Sequence, residues 1–177
     1  MDRIEGEKVY LRAMTEEDTD DIIRWRNHPA VRKNFIYQKL FTRESHLNWL
    51  HSVVETGKAV QFVIVDKQSG KSVGSVYLRD VDHENHKAEY GIFIGEDEAR
   101  GKGIGTEAAQ IFTRYGFEKL GLHRIYLRVF EENKQAIKSY EKGGFHREGL
   151  LTDDVCVQGE YRSIVWMAKI CEGRLGE

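Results

Sequence analysis

Apolar positions along this chain recur with two periods, and the points where the period changes divide it into elements. Three runs, Val60 to Asp66, Ser72 to Arg79 and Lys87 to Ile94, read as strands. The short polar segment Lys67-Gln68-Ser69-Gly70-Lys71 joins the first two as an antiparallel hairpin. From Thr106 the period lengthens, with Ala108, Ile111, Phe112 and Tyr115 at helical spacing and small residues leading, so this helix can sit close to a sheet. Between Arg124 and Phe130 it shortens again, Ile125, Leu127 and Val129 alternating with Arg124, Tyr126 and Arg128. Asn133 is placed to cap a short helix ending at Gly143-Gly144. Two further strands follow, Phe145 to Leu150 and Tyr161 to Lys169, with Gln158-Gly159 in the loop between them.

Ahead of these lies a short strand at Val9 to Arg12. Thr15 followed by Asp18 then resembles a capping box opening a helix on Ile22, Ile23 and Trp25. Pro29 closes that helix, and Leu47, Leu50 and Val54 give a second one from about Arg43. Strand, glycine-rich loop, helix and strand in sequence make a crossover between parallel neighbours inside an otherwise antiparallel sheet. The expected fold class is α/β (α+β), a mixed, mostly antiparallel sheet of six to seven strands flanked by helices.

Composition narrows the function. With 177 residues, 40% hydrophobic and 32% charged, the chain reads as one domain over residues 1–177 without a linker. A net charge of -2 supplies no broad field for DNA or an acidic membrane, so neither partner is expected and any anion site must be local. Cys156 and Cys171 have no ligand-like neighbours, and no metal is expected. Without an apolar signal segment or a run of about 20 apolar residues, a cytoplasmic location is the expectation.

The segment Ala99-Arg100-Gly101-Lys102-Gly103-Ile104-Gly105-Thr106 is the strongest chemical signal. Its glycines let backbone N–H groups converge and an anion come close. The following helix start adds positive potential, and Arg100 and Lys102 add charge. Its letters also satisfy the dinucleotide pattern, with Glu131 as the ribose acid. Two features count against that rival: five residues, Gly95 to Ala99, separate the loop from its strand, and too little chain follows Glu131.

Taken together, Arg100-x-x-Gly103-x-Gly105, a long helix, a strand, Asn133, Ala136, Tyr140 and Gly144-Phe145 resemble the GNAT superfamily of acetyl-CoA-dependent N-acetyltransferases. Val9-Tyr10-Leu11-Arg12 and Trp25-Arg26-Asn27-His28-Pro29 extend the resemblance through the N-terminal region, towards the branch containing spermidine, ribosomal-protein and amino-sugar N-acetyltransferases. It implies acetyl-CoA as co-substrate, its pyrophosphate on backbone donors from Arg100 through Gly101, Lys102, Gly103 and Ile104 to Gly105 and on the Thr106 hydroxyl. It also implies a pantetheine arm between Ile92-Phe93-Ile94 and Leu127-Arg128-Val129, strands splayed by a bulge that Gly91 makes plausible, with a contact from Asn133.

Amide synthesis needs a neutral amine. Deprotonating a lysine-like amine of pKa about 10.4 at pH 7 takes roughly 4 to 5 kcal/mol, against about 1 kcal/mol for an α-amino group. Glu89 is the candidate general base, acting through water; its alternative is an ordinary surface carboxylate. Tyr140 matches the family position of the acid that protonates the leaving thiolate, and its alternative is a core aromatic. No Ser, Cys or Asp partner stands at recognisable spacing from His123 or His146, so direct attack is preferred over an acyl-enzyme.

Acceptor residues are sought in Trp25, Arg26, Tyr37 and His86. Arg24, Arg26, Arg32 and Lys33 with Phe35 and Tyr37 suit a nucleotide-activated amino sugar, whose diphosphate and base want charge and stacking. Glu16, Glu17, Asp18, Asp20 and Asp21 could attract a polyamine, and a protein N-terminus is a third option. The other class of reading is a non-catalytic acyl-CoA-binding module. A homodimer is the expectation that relatives suggest.

Overall fold

The computed structural model describes residues 3–173. In chain order the strands and helices are β1 (Ile4–Glu5), β2 (Val9–Ala13), α1 (Thr19–Asn27), α2 (Pro29–Arg32) and α3 (Arg43–Trp49). They continue as β3 (Val60–Asp66), β4 (Ser72–Asp82), β5 (Lys87–Ile94), α4 (Ile104–Glu118), β6 (Arg124–Phe130), α5 (Lys134–Lys142), β7 (His146–Val157) and β8 (Glu160–Ile170). The strands form one eight-stranded sheet in the order β1-β2-β3-β4-β5-β6-β8-β7, and its one parallel pair is β5 with β6. Among the described residues no helix is long and apolar enough to cross a membrane.

Register assigns the two faces of the sheet, because directly paired residues point the same way. Phe62, Val76, Leu78, Tyr90, Ile125, Leu127 and Met167 form one apolar layer with Ile104, Ala108, Ile111 and Phe112 of α4 and Ile137 of α5. Each fully buried Ile or Phe here contributes about 1.5 to 3 kcal/mol. On the opposite face Val63, Val65 and Phe93 pack against Ile22 and Trp25 of α1 and Leu50 beyond α3. Glu107 of α4 ties its helix to the first hairpin by accepting from the backbone N–H groups of Glu7, Lys8 and Val9 at 2.6, 2.9 and 3.1 Å.

Several elements differ from expectation. The sheet has eight strands rather than six to seven, because two residues at Ile4–Glu5 pair with β2 and are too short to show alternation. Pro29 opens α2 at its first turn, where a missing N–H is harmless, after α1 has ended at Asn27. β7 runs on to Val157 as a largely exposed edge strand, so no apolar alternation marks it. The bulge lies in β4 rather than at Gly91: pairing of β4 with β5 is regular through Tyr77↔Gly91 and shifts between Arg79 and Asp82, where Asp80 has φ +52°.

Candidate active site

Parallel pairing of β5 with β6 is confined to Lys87↔Arg124, Ala88↔Ile125 and Glu89↔Tyr126. Beyond that point no ladder joins Tyr90–Ile94 to Leu127–Phe130; the Ile94 and Phe130 carbonyls accept from Arg100 and from the Asn133 N–H, and the strand edges between suit an extended guest. α4 starts beside the far end of β5. Gly105 stands there with its α-carbon turned to Ile92 and Ile94; a Cβ would lie 3.8 and 3.9 Å from their side chains.

The loop entering α4 is shaped for an anion. Gly101 and Gly103 have φ of +73° and +78°, the left-handed region that glycine enters without penalty. Gly103 is also the helix cap and offers no capping side chain, so the first N–H groups of α4 await a partner. Lys8 Nζ donates to the Lys102 carbonyl at 3.1 Å, adding a cation at the rim. Arg100 is used internally, with its guanidinium on the Ile94 carbonyl at 3.1 and 3.3 Å and on Asp97 at 2.6 Å. Thr106 Oγ1 lies 3.1 Å from Ser139 Oγ and links the start of α4 to the second half of α5. Asn133 caps α5, its Oδ1 accepting from the Ala136 N–H at 3.2 Å.

Tyr140 packs edge-on to Tyr90, the first β5 residue past the last parallel pair, with ring centroids 6.3 Å apart. Its hydroxyl has no hydrogen-bond partner among the described residues. Burial raises its pKa, and Tyr77 adds to the effect, so the phenol is protonated across the physiological range.

On the other sheet face Glu89 is 6% exposed and fully engaged. Its Oε1 accepts from Arg128 Nε at 2.9 Å, and Oε2 accepts from Arg79 Nε and Nη2 at 3.2 and 3.0 Å and from Arg128 Nη2 at 3.3 Å. Three of these four bonds fall on Oε2, so Glu89 is held in place chiefly through that oxygen. Tyr77 lies across Gly91 on the same face, and burial raises its phenol pKa, with Arg79 opposing. Arg26 of α1 completes the cluster: it is 6% exposed, with its guanidinium 3.5, 4.5 and 5.9 Å from the ring centroids of Phe35, Phe41 and Phe93. Burial pulls its pKa down to about 10, Tyr77 opposing and Arg79 reinforcing.

A strap of residues 33–42 roofs this face. Asn27 clasps one end through Phe41, donating to its carbonyl at 2.8 Å and accepting from its N–H at 2.7 Å. At mid-strap Ile36 packs with Phe130, Val157 and Ile164, and Gln38 meets Gln158 of the β7–β8 turn at 3.3 Å.

Residues 8–146 match the family model described as an acetyltransferase (GNAT) domain. The chain belongs to the GNAT acetyltransferase family. It is 32% identical over 161 residues to the spermidine N(1)-acetyltransferase of Escherichia coli (strain K12), covering 90% of this chain and 84% of that protein. It is 35% identical over 158 residues to the spermidine N(1)-acetyltransferase of Vibrio cholerae, covering 89% and 90%. Among solved structures it is similar to the spermidine N-acetyltransferase from Vibrio cholerae in complex with CoA and spermine. There the TM-score is 0.86 and the identity 26%, with 93% of this chain and 96% of that one covered. The chain is therefore an N-acetyltransferase using acetyl-CoA as co-substrate, and the opened strands with the uncapped α4 start fit that molecule's amide-bearing arm and its phosphates.

Within this acetyltransferase the residues singled out from sequence separate. Ile92 and Ile94 face α4, whereas the Phe93 side chain points to the opposite layer and leaves only its backbone to the opening. The Ile104 side chain is core. Of the four acceptor candidates, Arg26 lies buried beneath the strap among Phe35, Phe41 and Phe93, and Tyr37, 55% exposed, sits on the strap itself. Trp25 is 1% exposed, packed on Phe93 with its indole N–H donating to Glu96 at 2.7 Å, so it is a core residue. His86 sits in the β4–β5 turn with φ +51°, its carbonyl accepting from His123 and Arg124 N–H groups at the closed end of the strand pair. Sequence reading missed Tyr77 and Arg79, and placed Arg128 only on the strand bordering the pantetheine arm, not beside Glu89. Their signal was present as polar positions two apart, Tyr77 and Arg79 on β4 and Tyr126 and Arg128 on β6, with Arg79 and Tyr126 in register with Glu89.

Proposed function

We propose that this acetyltransferase works by direct attack of a small-molecule primary amine on acetyl-CoA, with Tyr140 as the general acid. The observation that carries this reading is the opening between β5 and β6, bordered by Tyr140 on one face and by the Glu89 cluster on the other. Acetyl-CoA supplies the thioester. The amine nitrogen forms the new C–N bond as the C–S bond breaks, the departing sulfur takes the Tyr140 proton, and the surplus amine proton leaves through water, from which Tyr140 is reprotonated. Asn133 caps α5, and Thr106 ties the start of α4 to α5 through Ser139.

Arg26, Arg79 and Arg128 beside one carboxylate disfavour an ammonium ion and favour the neutral amine that attack requires. In this reading Glu89 anchors two guanidinium groups and the electrostatics of the face lower the need for a base. The same charges support an acceptor amine borne on an anionic molecule, of which a nucleotide-activated amino sugar is the example. The second reading, a polyamine acceptor, is supported by the 32–35% identity to spermidine N(1)-acetyltransferases. Release of free thiol from acetyl-CoA, measured with spermidine, spermine, amino-sugar nucleotides and peptide N-termini, separates them. Preferred turnover of the amino-sugar nucleotides supports the first reading, and preferred turnover of spermidine supports the second. Acetyl-CoA binding with no thiol release across the panel would overturn both.

A further inference from the structure

Among the described residues, the acceptor face holds donors with little or no partner, the Arg26 guanidinium and the Trp166 indole N–H. Arg26 is the most buried of its arginines to lack a carboxylate: its one hydrogen bond is Nη2 to the Tyr37 carbonyl at 3.5 Å, the outer limit of such a bond. Other partly buried arginines are paired, Arg12 with Asp18 at 2.6 Å, Arg124 with Glu148, and Arg162 with Glu132 at 2.9 Å. Around Arg26 the nearby groups are aromatic rings, Tyr77 and a second cation, Arg79. Arg79 and Arg128 already share Glu89; Asp80, 3.8 Å from Arg79, is 73% exposed and its charge is screened by water. Trp166, in register with Arg128 on the same face, has a buried indole N–H with no partner.

A buried guanidinium without an anion is costly to hold, and rings on its faces leave its edge donors unmet. A polyamine would add positive charge to this face, whereas an oxygen-rich anion would meet the waiting donors. We propose that Arg26, reinforced by Arg79 and Arg128, binds a carboxylate or phosphate carried by the acceptor and so determines which amine is acetylated. The proposal deepens the acetyl-transfer reading and rests on it for the identity of the cleft.

The test uses matched amines with and without an acidic group: glucosamine against glucosamine 6-phosphate and a nucleotide-linked amino sugar, an α-amino acid against its amide, and spermidine as the cationic control. Thiol release gives kcat and KM, and calorimetry on the CoA-loaded protein gives binding. The wild-type protein is expected to favour the anionic member of a pair by at least about tenfold in kcat/KM, the preferred member of each pair telling phosphate from carboxylate. Arg26→Gln is expected to raise KM for that member at least about tenfold, by more than it lowers kcat, with the affinity for acetyl-CoA unchanged. Arg26→Lys should fall between them, keeping charge without the planar fork.

Preference for spermidine or for the uncharged members by the wild-type protein would overturn the proposal, as would a preference that survives Arg26→Gln. Should Arg26→Gln fail to fold by thermal melting, the matched pairs on the wild-type protein decide alone. Anion preference in calorimetry with no thiol release would overturn the acetyl-transfer reading and support the subsite; spermidine turnover without anion preference would do the reverse.

Discussion

Tyr77 stands directly opposite Gly91 in the β4–β5 ladder, and its ring fills the space a side chain at 91 would take. A Cβ built there would fall inside the Tyr77 ring, so the glycine is what lets this aromatic lie flat across β5 towards the opening. Gly91→Ala is therefore expected to push Tyr77 off the sheet, lowering stability by about 1 to 3 kcal/mol, the usual range for overpacking. Activity should fall with it. In the double variant with Tyr77→Ala, the stability loss from Gly91→Ala should largely vanish in urea titrations. Additive losses would show that the two positions do not conflict.

Tyr140 offers a cleaner chemical test. The ring is packed by Tyr90 and Phe145, and neither contact uses the hydroxyl. Tyr140→Phe should leave melting temperature and acetyl-CoA affinity close to wild type while lowering kcat at least about tenfold. Because burial raises the phenol pKa, the wild-type rate should show no alkaline decline from this group below about pH 10. An unchanged kcat in the Phe variant would remove Tyr140 from the reaction.

Glu89 separates two roles by pH. A general base is needed less as free amine accumulates, so its loss would shrink at alkaline pH; an anchor for Arg79 and Arg128 is needed at every pH. With four guanidinium hydrogen bonds on one buried carboxylate, Glu89→Gln is expected to behave as the second case. The loss in kcat/KM should be similar at pH 7 and pH 9, each being compared with wild type at that pH. Stability should drop by about 3 kcal/mol, the lower end for a broken buried ion pair, because both arginines keep some solvent exposure. A deficit that disappears at pH 9 would restore the proton-accepting role.

The element pattern was legible where periodicity is strong. β3, β5, β6 and α5 lie where alternation and the Asn133 cap put them, and the parallel β5–β6 crossover followed from the order of elements. The motif Trp25-Arg26-Asn27-His28-Pro29 marked an important segment without revealing that its members do different jobs. Trp25 is core, Arg26 lies under the strap with its guanidinium on the Phe35 and Phe41 rings, Asn27 clasps the strap, and His28 Nδ1 caps the turn that Pro29 opens. Such roles depend on what lies across space, 14 residues away for Phe41, which no local pattern encodes. The Glu89 ion pairs were hidden for the same reason: β4 and β6 carry the arginines, and only register brings them to one carboxylate.

His46 gives a stability prediction with a defined sign. It is 1% exposed in α3, and neither ring nitrogen has a partner. Burial lowers its pKa, Asp18 pulling the other way and Arg43 adding to the fall. The unfolded chain, with a histidine pKa near 6.5, therefore binds a proton first as the pH falls. Stability should be flat above that value and decline below it until the folded-state pKa is reached. Asp18 acts in a separate window. Burial alone would raise its carboxyl, but hydrogen bonds from Arg12 and Thr15 outweigh that and lower it, so its contribution is lost only below about pH 4. His46→Leu removes two unsatisfied nitrogens and should stabilise by about 1 to 3 kcal/mol at pH 7. It should also flatten the decline between about pH 6.5 and 5 in urea titrations. A variant that keeps the wild-type slope over that interval would assign the acid sensitivity to another group.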